Sequence, residues 1–254
     1  MFTKDFLKGK VALVTGASRG IGRGIAFALA EAGADIVAAG LDRPQLEETA
    51  RLAAAIGRKA IVFEFDVTDE AGAAQLAQYA IESFGRIDVL LNNAGIPMSQ
   101  SLLDSSVAGL RRVLDVNIAG TFLCTRAVVP QMISQRSGRI INMASILARI
   151  GALNRSGYSA SKAAVSHMTK SLALELGPHG ITVNAIGPSA IVTDLNRELM
   201  RTQPQVYAGM LERTPLGRLA QPEDLTGALV FLASPASAFM TGQTLYIDGG
   251  MTCG

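Results

Sequence analysis

Lys10-Val-Ala-Leu-Val-Thr-Gly-Ala-Ser-Arg-Gly-Ile-Gly22 is the stretch whose reading decides the fold. Residues 10–15 form a short, almost wholly apolar run, the pattern of a strand buried on both faces. Glycines at 16, 20 and 22 interrupt it, and an Ala-rich segment of helical character continues to about residue 32. A strand, a glycine-rich turn and a helix in that order make the setting of a loop that cradles dinucleotide phosphates. Glycines let the backbone approach the pyrophosphate, and the free N–H groups of the new helix face its charge. Ser18 and Arg19 add a hydroxyl donor and a cation. The spacing is Gly-x-x-x-Gly-x-Gly rather than the commoner Gly-x-Gly-x-x-Gly, so a plain tight turn is the competing reading.

Outward from this unit the chain keeps alternating. Strands are expected at 35–39, 59–64, 88–92, 139–144, 181–186 and 244–247, and helices at 44–56, 70–84, 107–134, 157–176 and 222–232. Such alternation predicts an α/β fold: one Rossmann domain over residues 1–254, with a doubly wound, mostly parallel seven-stranded sheet between helices on both faces. Asn92-Asn93-Ala94-Gly95 closes the fourth strand, either bridging backbone groups or touching a ligand. Asn117 falls inside a long apolar helix, where an unbonded amide is costly, so it points to a local helix distortion or a held water. Residues 190–219 lack a clean period and carry Thr193, Asp194, Arg197, Arg201 and Arg213. An insert of this kind at a carboxyl edge is expected to form a substrate lid.

The chain of 254 residues is 49% hydrophobic and 17% charged, which supplies a sizeable core and excludes disorder. A net charge of +2 without a basic run gives a nucleic-acid partner little support. Cys124 and Cys253 show neither metal spacing nor a disulfide framework, and two histidines are too few for a His-based metal site. No signal peptide is evident, and no apolar run reaches the ~18 residues of a membrane helix, so a soluble cytoplasmic protein is expected.

One constellation carries chemistry. Tyr158 and Lys162 stand four apart in the helix expected from 157, hence on one face. Ser145 follows the strand at 139–144 and reaches the same carboxyl-edge crevice, where open α/β sheets bind ligands. A phenol near pKa ~10 is a poor base at neutral pH, and a neighbouring ammonium favours its ionised form. A serine hydroxyl donating to the substrate oxygen would hold and polarise it. Taken alone, a Tyr–Lys pair is more often an amphipathic surface residue beside a solvated charge.

Together these segments resemble the short-chain dehydrogenase/reductase family over nearly the whole chain. The family's glycine loop is matched by residues 15–22, its adenine-side acid by Asp66 and its Asn-Asn-Ala-Gly turn by residues 92–95. Its four catalytic positions are matched by Asn117, Ser145, Tyr158 and Lys162, its nicotinamide-side segment by residues 184–193, and its C-terminal Asp-Gly-Gly by residues 248–250. The resemblance implies reversible hydride transfer between a secondary alcohol or its ketone and a nicotinamide. Tyr158 would be the acid/base, and Ser145 would hold the substrate oxygen. Lys162 would lower the phenol pKa and bind ribose, and Asn117 would anchor a water leading to solvent. Cofactor contacts are implied for Gly16, Ser18, Arg19, Gly20, Ile21, Gly22, Leu41, Asp42, Asp66, Val67, Asn93, Ala94, Gly95, Tyr158, Lys162, Pro188, Ser189, Ile191 and Thr193. Ser189 departs from the glycine usual after the sixth strand, which puts the shape of the nicotinamide pocket in question.

The adenosine-side acid position falls on Gly40, while Asp42 and Arg43 pull in opposite directions; the absence of a base at Leu41 tips the choice from NADP toward NAD. Residues 193–197 and 213–218 are similar to members acting on sugars, sugar acids and polyols, such as gluconate-type and deoxygluconate-type dehydrogenases. A carboxylate substrate wants a cation, for which Arg149 and Arg155 are candidates beside the alternative that both are surface charges. Reduction of 3-oxoacyl groups on a carrier protein is the competing activity. A non-catalytic dinucleotide sensor or scaffold is the competing class. The family mostly forms tetramers, which implies a homotetramer paired through the helices at 107–134 and 157–176.

Overall fold

Strand β1 (Val11–Thr15) is buried along its length, and its residues divide by parity. Ala12 and Val14 enter one core layer, Val11 and Leu13 the other, as the two-residue period of a strand requires. The computed structural model of the protein describes residues 6–192, 202 and 204–253. Its other strands are β2 (Asp35–Gly40), β3 (Ala60–Glu64), β4 (Val89–Asn92), β5 (Gly138–Met143), β6 (Ile181–Pro188) and β7 (Thr244–Ile247). They form one sheet in the order β3-β2-β1-β4-β5-β6-β7, with every adjacent pair parallel. The strand order reverses at β1, and that is where an open α/β sheet leaves a crevice at its carboxyl edge.

Helices α1 (Gly20–Glu31), α2 (Arg43–Ala55) and α8 (Glu223–Ala233) cover one face, contributing Leu29, Leu46 and Leu229 among others to its core. Helices α3 (Glu70–Phe84), α5 (Gly120–Gln135) and α6 (Ser156–Leu176) cover the opposite face through residues such as Leu76, Met132 and Leu172. Sequence chemistry fixes several helix starts. Asp42, Asp69 and Ser106 accept from backbone N–H groups at the starts of α2, α3 and α4 (Val107–Leu114).

Two expectations change. The long helix expected over 107–134 is two helices, α4 and α5, joined by a π turn at Asp115–Ala119. Apolar periodicity runs through a single extra residue per turn without a break, so only Asn117 signalled it. Within the segment 190–219, Pro204–Glu212 forms helix α7, hidden in the sequence because Gly209 and the flanking polar residues blur the period. Residues 193–201 and 203 of that segment, Thr193 included, lie outside the described residues. The stretch Val107–Gln135 is, by length and composition alone, apolar enough to cross a membrane. The π turn interrupts it, and Val116, Cys124, Val128 and Met132 are buried in the core of the domain.

Candidate active site

The glycine loop is built before any ligand is considered. Gly16 and Gly20 both adopt left-handed backbone, with φ of 66° and 56°. A β-carbon on Gly22 would lie 2.0 Å from the Gly16 carbonyl oxygen, so the loop closes only with glycine there. Asn93 donates to the carbonyls of Thr15 and Gly16 at 3.0 and 3.1 Å, while Thr15 Oγ1 accepts from the N–H groups of Asn93 and Ala94. The Asn-Asn-Ala-Gly turn thus steadies the loop, the bridging role left open by the sequence. Two supports went unread in the sequence: Thr49 donates to Ala17 O at 2.8 Å, and Arg23 donates to Ser18 O and Thr49 Oγ1. Arg23 directly follows the motif but no spacing rule marks it, and only the packing of α2 against α1 brings Thr49 to the loop.

This loop fits a dinucleotide. Helix α1 begins at Arg19 with no side chain capping its first turn, unlike α2, α3 and α4. Its N–H groups are left to meet an anion. Ser18 is half-buried and Arg19 exposed beside them. On the adenosine side, a β-carbon on Gly40 would come within 2.8 Å of Ser18 Oγ, so a side chain there would require the serine hydroxyl to move. Leu41 is exposed; Asp42 is engaged in capping α2 through Gln45 N, and Arg43 pairs with Glu47 at 3.0 Å. Asp66 accepts from Thr68 N, Thr68 Oγ1 and Arg112. Burial pushes its pKa up, but those donors outweigh it and hold the carboxyl below the usual range. Val67 is buried with its methyl groups against Gly120.

Asn117, Ser145, Tyr158 and Lys162 converge on the carboxyl edge. Ser145 follows β5 and opens a single 3₁₀ turn, Ile146–Ala148, where its Oγ accepts from Leu147 N at 3.2 Å. Its hydroxyl lies close enough to the Tyr158 phenol to oppose the upward push of burial on that group. Lys162 lies 5.8 Å from the Tyr158 ring centroid and donates to Met143 O at 2.7 Å. A β-carbon on Gly95 would sit 3.1 Å from Asn117 Oδ1 and 3.4 Å from Lys162 Nζ, so all three meet at one point. Asn117, 1% exposed, accepts from Ile96 N and donates to Ile96 O and Ser161 Oγ. Ser161 in turn donates to Tyr158 O at 2.7 Å, a link that its place among small residues did not signal. The π turn is what turns Asn117 inward to these partners, so of the two readings of Asn117 the helix distortion is the one observed.

The electrostatics depart from expectation. Burial raises the Tyr158 pKa, and the opposing influences are the Ser145 hydroxyl and the charge of Arg155, with Lys162 not among them. Lys162 is turned to Met143 O, and burial alone brings its own pKa down to about 8. On the nicotinamide side, β6 ends at Pro188, Ser189 N donates to Ile247 O at 3.3 Å, and Ile191 bridges to Ala220. Ser189 borders a cavity of about 130 Å³ shared with Ala220, Asp224 and Asp248.

A seven-stranded parallel sheet with this crevice, an uncapped glycine loop and a buried Ser–Tyr–Lys cluster defines a nucleotide-binding oxidoreductase. Residues 16–252 match the family described as Enoyl-(Acyl carrier protein) reductase. The chain is 42% identical over 248 residues to a 3-oxoacyl-[acyl-carrier-protein] reductase of Synechocystis sp., covering 96% of this chain and 98% of that one. It is 40% identical to the 2-dehydro-3-deoxy-D-gluconate 5-dehydrogenase of Dickeya dadantii, covering 96% of each. A solved structure from Beutenbergia cavernae, described as a candidate NAD(P) dependent gluconate 5-dehydrogenase with bound NADP, superposes with a TM-score of 0.92 at 39% identity, covering 99% of this chain and 100% of that one. The protein belongs to the short-chain dehydrogenase/reductase family and is an NAD(P)-dependent oxidoreductase acting on CH–OH and C=O groups.

Proposed function

We propose that the protein interconverts a secondary alcohol and its ketone on a sugar, sugar acid or polyol, with Tyr158 as the acid/base. The observation that carries this reading is Ser145 beside Tyr158 at the carboxyl edge, with Lys162 buried against the Tyr158 ring. When bound, a nicotinamide dinucleotide supplies or accepts hydride at its nicotinamide ring. The substrate oxygen enters between the two hydroxyls; Ser145 donates to it, and Tyr158 takes or returns the carbinol proton. Lys162 compensates the phenolate and holds ribose hydroxyls. Asn117 fastens the loop after β4 to α6, with the proton leaving through water held beside Asn117 and Lys162. The contacts to dinucleotide phosphates come from Gly16 to Gly22, and those to its nicotinamide end from Pro188, Ser189, Ile191 and Thr193. NAD is the preferred form: Gly40 and Leu41 present no cation to a 2′-phosphate, and Arg43 is engaged with Glu47. Residues 190–219 close over substrate, and the protein works in the cytoplasm as a homotetramer. Exposed Phe122 on α5 and Leu174 on α6 support the pairing of those helices.

The 3-oxoacyl carrier-protein activity is the second reading, favoured by the similarity to the Synechocystis enzyme. Purified protein assayed with NAD and NADP against gluconate-like and acetoacetyl substrates separates the two. Turnover of acetoacetyl thioesters alone, with NADPH, would refute the sugar-acid reading. Tyr158→Phe addresses the non-catalytic alternative: turnover is expected to fall by about 10²–10⁴-fold, with cofactor binding by fluorescence retained. Unchanged turnover would remove Tyr158 from the chemistry.

A further inference from the structure

We propose that Arg155 is a substrate-binding residue that makes this cleft selective for anionic hydroxy or oxo acids, its guanidinium holding the carboxylate while the reacting oxygen lies against Ser145 and Tyr158. The inference rests on the oxidoreductase reading of the same cleft and narrows its substrate class. Arg155 immediately precedes α6, and the one hydrogen bond of its side chain among the described residues runs to Met98 O at 3.5 Å, the long limit of such contacts. The side chain is half-buried. Arg51, Arg86, Arg112, Arg126 and Arg218 are ion-paired, and half-buried Arg139 is served by two backbone carbonyls, whereas Arg155 has only the long contact to Met98 O. A guanidinium withdrawn from water without an anion is left under-compensated, and a planar carboxylate is the partner its fork fits best.

Position supplies the second argument. Arg155 is the residue at the cap of α6 and Tyr158 is the third residue of that helix, so the two side chains leave the chain within about one turn of each other, a separation that a short hydroxy acid can span. The charge of Arg155 reaches the phenol, where it opposes the upward push of burial. No acidic residue occupies the first turn of α6 to neutralise it. Arg149, the other cation between Ser145 and Tyr158, is exposed and lies over the Tyr246 ring at 5.6 Å, so its charge already has a partner.

The test compares D-gluconate with D-glucitol, which replaces the carboxylate by a neutral carbinol. Binding is measured by calorimetry and turnover by nicotinamide absorbance, for the wild type, Arg155→Gln, Arg155→Lys and Tyr158→Phe. The wild type is expected to favour gluconate, and Arg155→Gln to lower the gluconate-to-glucitol ratio of affinity and of kcat/KM by about 10- to 100-fold, since any change at the Tyr158 phenol acts on both probes alike. Arg155→Lys should recover part of the loss, because charge returns without the fork. Tyr158→Phe should bind gluconate normally. A general collapse of the cleft would lower both probes together, so an unchanged gluconate-to-glucitol ratio in Arg155→Gln overturns the proposal, as does a wild type that binds no gluconate. Arg155-dependent gluconate binding without turnover by either cofactor would instead sink the sugar-acid oxidoreductase reading while leaving the anion site standing.

Discussion

Lys162 sets the energetic terms at the residue scale. Its side chain is buried, with the residue 5% exposed, and among the described residues its one side-chain hydrogen bond is to the carbonyl of Met143, with no carboxylate paired to it. Burial lowers its pKa from 10.5 to about 8, so the folded protein favours the neutral amine more than the unfolded chain does. Below about pH 8 both states carry the charge and the full cost of burying it, about 3 kcal/mol, weighs against folding. As pH rises from the folded value toward 10.5 the folded amine is neutral first, the unfolded chain holds more protons, and the penalty fades. Lys162→Met is therefore expected to be inactive yet more resistant to urea than the wild type near neutral pH, the gap shrinking by most of that amount toward about pH 10. Urea midpoints at both pH values check it; a gap independent of pH would mean that Lys162 is solvated. The Tyr158–Lys162 pairing was legible from four-residue spacing alone. The orientation of the ammonium toward Met143 was not, because it depends on how far α6 sits from the end of β5.

Among the elements, the turn from β1 into α1 has the least freedom. A β-carbon on Gly22 meets the Gly16 carbonyl at 2.0 Å, and backbone cannot yield as a flexible side chain would. Gly22→Ala is expected to cost about 1–3 kcal/mol of stability and to weaken NAD or NADP binding about tenfold or more, read by thermal melts and nicotinamide fluorescence. Gly57, exposed with nothing within 4 Å of a β-carbon, offers a control, since alanine there carries only backbone strain. Equal loss of cofactor binding in both variants would show that the loop geometry is not what holds the dinucleotide. Elements were readable wherever one period dominated: β1, α1 and the Gly157–Leu176 stretch sit within a residue or so of their expected bounds. The π turn at Asp115–Ala119 and the buttress from Arg23 and Thr49 were not, since a one-residue insertion preserves apolarity and a long-range hydrogen bond has no local signature.

Across the whole molecule the sheet separates chemistry from cohesion. The carboxyl ends of β1, β4, β5 and β6 carry the loop, Asn93, Ser145 and Pro188, whereas the opposite ends of β1 and β4 are joined by Asp88. Strand order itself was implied by alternation only through the family resemblance; sequence says which segments are strands, and crossovers decide which are neighbours. Asp88 is 4% exposed and accepts from Val11 N at 3.0 Å, Lys10 at 3.0 Å and Arg86 at 2.7 Å. Burial pushes its pKa up, but Arg86, the Val11 N–H and Lys10 outweigh that and leave the carboxyl below the usual range. A folded pKa below the unfolded one gives stability that is fully present above about pH 4 and is lost as pH falls through the folded value. Because Arg86 and Lys10 are partly exposed and regain water when released, Asp88→Asn is expected to cost about 2 kcal/mol at neutral pH. The difference from the wild type should vanish in acid, while kcat at 25 °C stays unchanged because the substitution lies at the edge of the sheet opposite Tyr158. Denaturation curves from neutral to acid pH, run beside initial rates, decide the matter: a loss of kcat without a loss of stability would show that the two edges of the sheet are coupled.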